Sequence, residues 1–369
     1  MKKKLILAGI VLLLVDAVVS WYFIIYRGNN LQINPFGKSK VTVVPSVTPK
    51  IQPSIYLPAA KNALAWLEKQ KDERGIYYFS RSCSSGTSCD QINKSGQSGH
   101  YGLAAIWGRY KYYSQNRTMA DLTIINKDLA AYTDASKIGV VQNDHWNCRL
   151  MYELWSDKAF SAEQKQQLEQ ICWQSLYYHP KDLPTTSESF SYNKAAKRAV
   201  TAAVVAANEE GLAGMYAPYA SDFVARFVWR QNPEDLTQAN QYFNKAVAWW
   251  NSNKAVIGGE NYCLLGVAAV DMAQVTKKTD YLDFAKDLFN SKKAADKPLS
   301  PVCAVWAKEL ERLDNNTEYL SYMLKINGFW LKTGQDKDGS FFSLLANGID
   351  LNSEKTIRLN GLVVGVLSL

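Results

Sequence analysis

Residues able to do chemistry collect in a few short windows. Gln97-Ser98-Gly99-His100-Tyr101, Asn143-Asp144-His145-Trp146-Asn147, Ser187-Glu188-Ser189-Phe190-Ser191-Tyr192 and Gly258-Gly259-Glu260-Asn261-Tyr262 each set a carboxylate or a histidine beside an aromatic, and Glu354 precedes Arg358 and Asn360. Facing carboxylates across a cleft suit glycoside hydrolysis, one protonating the leaving oxygen while the other activates water or attacks. Asp144, Glu188 and Glu260 are the candidates, with acid and base unassigned. A histidine base, His145 or His100, with Tyr101 or Tyr262 suits a lyase instead, with Arg358 neutralising a uronate carboxylate. Trp146 and Tyr192 complete the candidate substrate-binding set of His100, Tyr101, Trp146, Tyr192, Tyr262 and Arg358. Each residue has a plainer reading. Acids at helix starts cap and offset the dipole, as Asp144 and Glu188 would. The histidines can be satisfied structural groups, Gly258-Gly259 a tight turn, and Arg358 the partner of Glu354 four residues back on one helix.

These windows matter only if the elements carrying them converge. From residue 58 onward the apolar period is 3.6, and it predicts helices at about 58–70, 99–115, 118–133, 143–157, 162–178, 187–208, 215–231, 234–252, 259–276, 280–291, 301–314, 317–332 and 354–369. Ser161 with Gln164 reads as a capping box, and Asn232-Pro233 and Ser300-Pro301 read as a cap followed by a first-turn proline. No alternating strand pattern stands out. One phrase occurs twice: Trp66-Leu67 with Gln70, Asp72, Gly75 and Tyr77-Tyr78, and Trp330-Leu331 with Gln335, Asp336, Gly339 and Phe341-Phe342. An internal repeat is an architectural signal. Its physical reading is a buried Trp-Leu helix face, a glycine closing the helix end in a left-handed conformation, and an aromatic pair that pins the outgoing chain.

The two windows Trp330-Leu331 to Phe341 and Trp66-Leu67 to Tyr77 resemble the Gln-Trp repeats of α/α-toroid proteins, the terpenoid cyclases and protein prenyltransferases, whose general plan six-hairpin glycosidases share. The resemblance implies an all-α fold of about six helical hairpins closed into an (α/α)6 toroid over residues 58–369; an open right-handed stack of hairpins is the rival. In a closed ring the inner helices all start on one face, where their N-terminal N–H groups would gather the windows above around an aromatic-lined, glycan-type cleft. The chain departs from the isoprenoid members: it has no Asp-x-Asp-Asp or other Asp-rich motif, no zinc Asp-x-Cys with a distant His, and no thioester motif. Carbohydrate processing is the enzymatic use that remains, and a toroid that binds a glycan, peptide or partner protein without catalysis stands beside it. No phosphate loop, dinucleotide fingerprint or zinc helix occurs, and the expectation is no cofactor and no metal.

Composition frames the rest. Met1 to Lys4 is a basic stub that should stay inside, and residues 5–26 form an apolar run about long enough to cross a membrane, predicting a retained signal-anchor, with secretion after cleavage at Val18-Val19-Ser20 as the alternative. Residues 27–57, with recurrent prolines, read as a linker. The first 55 residues hold seven of the 42 basic side chains and one of the 34 acidic ones, leaving 35 against 33, so a nucleic-acid surface is not expected. Six cysteines in an exported chain predict sequential bridges. Cys83 with Cys89 would close a loop, Cys148 with Cys172 would tie a hairpin, and Cys263 with Cys303 would join the starts of two parallel helices; buried free thiols are the alternative.

Overall fold

The computed structural model describes residues 55–78, 80–84, 88–93, 99–133, 146–177, 202–253, 260–292, 300–342, 344–345, 348–349 and 354–369. Within these, helices follow the sequence pattern: α1 (Leu57–Glu68), α2 (Gly99–Asn116), α3 (Met119–Thr133), α4 (Asn147–Ser156), α5 (Ala162–Tyr177), α6 (Ala202–Arg230), α7 (Pro233–Asn253), α8 (Glu260–Thr276), α9 (Thr279–Lys292), α10 (Pro301–Asp314), α11 (Thr317–Phe329) and α12 (Ile357–Leu367). Local chemistry sets several starts. Ser161 N–H donates to Gln164 Oε1 at 2.6 Å and Gln164 N–H returns to Ser161 Oγ at 3.3 Å, a closed capping box. Asn232 Oδ1 accepts from Glu234 N–H and Ser300 Oγ from Val302 N–H, each just ahead of a proline.

The even-numbered helices form the inner ring. In order, α2, α4, α6, α8, α10 and α12 each pack on the next, and α12 returns to α2. Each of α3, α5, α7, α9 and α11 pairs with the inner helix before it, while α1 pairs with α12, so the first and last helices of the domain complete the sixth hairpin. This is an α/α toroid. Small residues allow the closure: a Cβ on Gly361 of α12 would stand 2.4 Å from the backbone of Ala104 and Ala105 in α2, closer than carbon atoms pack.

Three expectations change. A single helix, α6, runs through Pro218, where the sequence suggested separate helices at 187–208 and 215–231; the proline removes one backbone donor without ending the helix. Strands are present: β1 (Ser80–Ser84) lies between β2 (Ser88–Asn93) and β5 (Glu354–Thr356), with Arg81 opposite both Ile92 and Lys355, and β3 (Leu344–Leu345) pairs with β4 (Gly348–Ile349). Segments of two to six residues are too short to display an alternation. The repeat glycines do not close helices. Gly75 and Gly339, at φ +83° and +90°, end tight turns in which their N–H groups donate to Asp72 O and Asp336 O. Each turn is closed by a one-rung bridge, Lys71 to Tyr77 and Gln335 to Phe341.

The second repeat fastens the ring. Gln335 Nε2 donates to Ala59 O at 2.9 Å, and buried Asn360 accepts from Phe341 N–H while donating to Phe341 O and Thr356 O. Disulfides join Cys148 to Cys172, between α4 and α5, and Cys263 to Cys303, between α8 and α10, with Cα separations of 4.5 and 4.9 Å. Such bridges persist in oxidising compartments. Cys83 and Cys89 stand on the paired strands β1 and β2, and their side chains lie outside the described residues, as does the whole 1–54 segment of the expected anchor and linker. Among the described residues no helix is long and apolar enough to cross a membrane.

Candidate functional site

The starts of α8, α10 and α12 come together on one face of the ring. Glu260, first residue of α8, receives two donors: Arg358 Nη2 from the first turn of α12 at 2.6 Å and Ser300 Oγ from the cap of α10 at 3.2 Å. The Glu260 side chain is 32% exposed and that of Arg358 19%, so the pair is open to a ligand on one side. One helical turn below, the Cys263–Cys303 bridge sits three residues after both Glu260 and Ser300 and fixes the spacing of α8 and α10. Held by Arg358, the Glu260 carboxylate is an acceptor for sugar hydroxyls or for a water, while the guanidinium donates.

Arg358 therefore has a partner that its sequence neighbourhood does not suggest. Residue 354 belongs to β5, opposite Ser82, and α12 begins only at Ile357, so Glu354 and Arg358 do not share a helix face. The acid comes from 98 residues away, across the ring. Ser300 joins the site through a residue whose sequence signal was a helix cap.

Deeper in the ring lies a second ionic cluster. Arg149 on α4 is ion-paired with Glu153 one turn on, with Glu309 of α10 at 3.2 Å and with Asp271 of α8 at 3.6 Å. Glu153 also takes Lys111 Nζ at 2.5 Å and Trp107 Nε1 at 3.0 Å from α2, and Glu309 takes Gln274 Nε2 and Arg312. Burial alone would raise the Glu153 carboxyl, but Lys111 and Arg149 hold it down at about 2. At Asp271 burial dominates: even with Arg149 opposing, its carboxyl is pushed up to about 6. The sequence reading missed this cluster, although Asp271 inside the apolar run Leu264–Val275 and the Arg149/Glu153 spacing were visible signs.

Two of the expected cleft aromatics are packed inside. Tyr262 is 5% exposed, meets the Trp306 ring edge-on at 6.0 Å and is hydrogen-bonded to Tyr322 of α11; burial pushes its phenol up. Trp146 is 1% exposed, with the Arg149 guanidinium 5.7 Å from its ring. Burial removes both from direct contact with a ligand on the open face. His100 and Tyr101 stand on the first turn of α2, their side chains outside the described residues. Glu354 is placed by backbone alone, and Asp144, His145, Glu188 and Tyr192 lie outside the described residues. Among the described residues no group of three or more His, Cys, Asp or Glu side chains forms a metal-type cluster.

No protein-family model matches the chain, and no curated protein matches its sequence. Solved structures match its fold. An inactive α-1,6-mannanase of glycoside hydrolase family 76 from Salegentibacter, altered at two consecutive aspartates and in complex with α-1,6-mannotetrose, superposes with a TM-score of 0.56 at 11% identity over 85% of this chain and 98% of that one. A family 76 mannosidase from Bacteroides thetaiotaomicron gives 0.53 at 12% over 85% and 97%, and the Lin0763 protein of Listeria innocua gives 0.53 at 12% over 85% and 96%. The chain thus has the six-hairpin α/α-toroid fold of these structures. Its 369 residues contain no two consecutive aspartates.

Proposed function

We propose that this protein is an extracytoplasmic α/α-toroid that engages a glycan on the face where the inner helices begin, as a glycoside hydrolase or polysaccharide lyase, held to the membrane by its N-terminal apolar segment, residues 5–26. The observation that carries the reading is the trio of Glu260, Arg358 and Ser300, delivered by three successive inner helices and left partly open. Support comes from the fold shared with glycan-bound family 76 structures and from disulfides that suit an exported domain. Fold alone does not assign chemistry. In this reading Glu260 serves as acceptor or base, Arg358 binds and orients the sugar or its carboxylate, and Asp144, Glu188 or His145 supplies the second titratable group.

A second reading, glycan binding without cleavage, is favoured by one specific observation. The consecutive aspartates whose substitution accompanies the inactive mannanase have no counterpart pair anywhere in this sequence. One experiment separates the two. The purified exported domain is incubated with a polysaccharide panel that includes α-1,6-mannan and uronate polymers, and both product release and retention on immobilised glycan are measured for wild type, Glu260→Gln and Arg358→Gln. Product release that falls about 100-fold or more in Glu260→Gln establishes catalysis at this site. Retention without products, weakened in both variants, establishes binding. A panel that is neither retained nor cleaved rejects the glycan reading.

A further inference from the structure

Helix α4 is 10 residues long, whereas its ring neighbours α2 and α6 have 18 and 29 in their described lengths, and its start, Trp146 and Asn147, is buried. A buried helix start leaves several backbone N–H groups without intrahelical acceptors. The cap position of α4 is Trp146, an unusual choice because an indole provides no capping oxygen, and its side chain makes no cap bond. Its backbone is also left-handed, at φ +80° and ψ 4°, a conformation that bulky L-residues avoid.

Asp222 answers both difficulties from the next inner helix. Its side chain is fully buried in the middle of α6; Oδ2 accepts Trp146 N–H at 2.7 Å and Oδ1 accepts Arg149 N–H at 3.0 Å. Cap and third-position N–H groups are the two that a local capping box satisfies, and here one carboxylate from another helix takes both. The helix dipole adds to the attraction, since the positive end of α4 faces an anion. The Arg149 guanidinium lies 5.7 Å from the Trp146 ring on the same turn.

We infer that Asp222 is a positioning residue that clamps Trp146 in its left-handed conformation and sets where α4 begins inside the ring. Asp144 and His145, candidates in the function proposed above, precede Trp146 in the chain, so the expected effect on catalysis rests on that reading. The clamp itself does not rest on it.

Hydrogen–deuterium exchange tests the clamp directly. In Asp222→Ala the amides of Trp146 to Arg149 should exchange about ten-fold faster or more, while peptides from α7, α9 and α11 change less than about two-fold. Asp222→Asn, which keeps one acceptor oxygen and the side-chain shape, should fall between, and it provides the measurement if the alanine variant does not fold. Unchanged exchange at 146–149, or an increase spread evenly over the domain, overturns the proposal. On any glycan that the wild type cleaves, Asp222→Asn should lower kcat about ten-fold with KM held within about two-fold. An unaltered kcat beside a loosened 146–149 segment overturns the positioning role. If the wild type cleaves nothing on the panel, the catalytic reading fails and the exchange result alone decides the clamp.

Discussion

Two guanidinium–carboxylate clusters among the described residues of the inner ring, around Arg149 and around Arg358, have opposite character. Around Arg149 three carboxylates, a lysine and a second arginine converge from four of the six inner helices, α2, α4, α8 and α10, and Arg149, Asp271 and Glu309 are buried or nearly so. At the helix starts the Arg358 guanidinium meets the Glu260 carboxylate, which also takes the Ser300 hydroxyl, on a face that water reaches. The pairing chemistry is the same and the surroundings decide its use. A sealed pair cannot exchange partners with a ligand, and it holds the helices in register. An open pair is worth little to stability and can give its hydrogen bonds to a sugar.

Breaking the sealed cluster should have the largest effect. Arg149→Met leaves Glu153, Asp271 and Glu309 without their shared cation, and removing one partner of a buried pair costs about 3–5 kcal/mol. Urea unfolding should show that loss in the midpoint at pH 7, or the variant should fail to accumulate folded. A loss below about 1 kcal/mol would mean that the cluster is hydrated and no more structural than the rim. Opening the Cys263–Cys303 bridge by double serine substitution comes next, at about 2–4 kcal/mol in the chain-entropy account. Because the bridge lies one turn below Glu260 and Ser300, it should also weaken glycan retention, and a bridge variant that loses stability with full retention would show that the rim does not depend on it.

The contrast between the clusters also marks what the sequence could reveal. Helix positions, caps and the two described bridges were legible because they depend on local spacing: Ser161 and Gln164 are three apart, and Cys148 and Cys172 flank one turn. Residues that act across the ring were not. Local spacing offers Arg358 only Glu354, which stands in a strand, and gives no sign of Glu260, the acid 98 positions away that holds its guanidinium. Asp222 looks like an ordinary polar residue on an amphipathic helix, and nothing local announces that it caps α4 from α6. Trp146 and Tyr262 stand at helix starts, and that position alone does not tell a ring exposed in a cleft from a buried one.

Acid titration should expose the sealed cluster through Asp271. Its carboxyl, near 6 when folded, lies above its ordinary 3.8, so the folded state holds the proton more tightly and the stabilisation is lost as pH rises through about 6. Glu153 has the opposite sign, about 2 against 4.5, and its contribution is complete above 4.5 and lost as pH falls toward 2. Unfolding free energies at a series of pH values should therefore show the wild type gaining about 2 kcal/mol relative to Asp271→Asn between roughly pH 7.5 and 4.5. Parallel curves for the two proteins would place Asp271 in water-like surroundings.

The smallest stability effect should come from the rim, and there a small number is the informative one. A double-mutant cycle on Glu260→Gln and Arg358→Gln should give a coupling of about 1 kcal/mol or less, declining with added salt, because one side of the pair faces solvent. The same cycle on Arg149 and Glu153 should give a larger coupling that salt hardly alters, since those charges are shielded from the ionic atmosphere. If the rim pair instead couples as strongly as the buried one, Glu260 and Arg358 are primarily a brace between α8 and α12, and a ligand would have to break that brace to bind. If the coupling is weak while both substitutions abolish glycan retention, the pair is held in place by its helices and left free to act on a ligand.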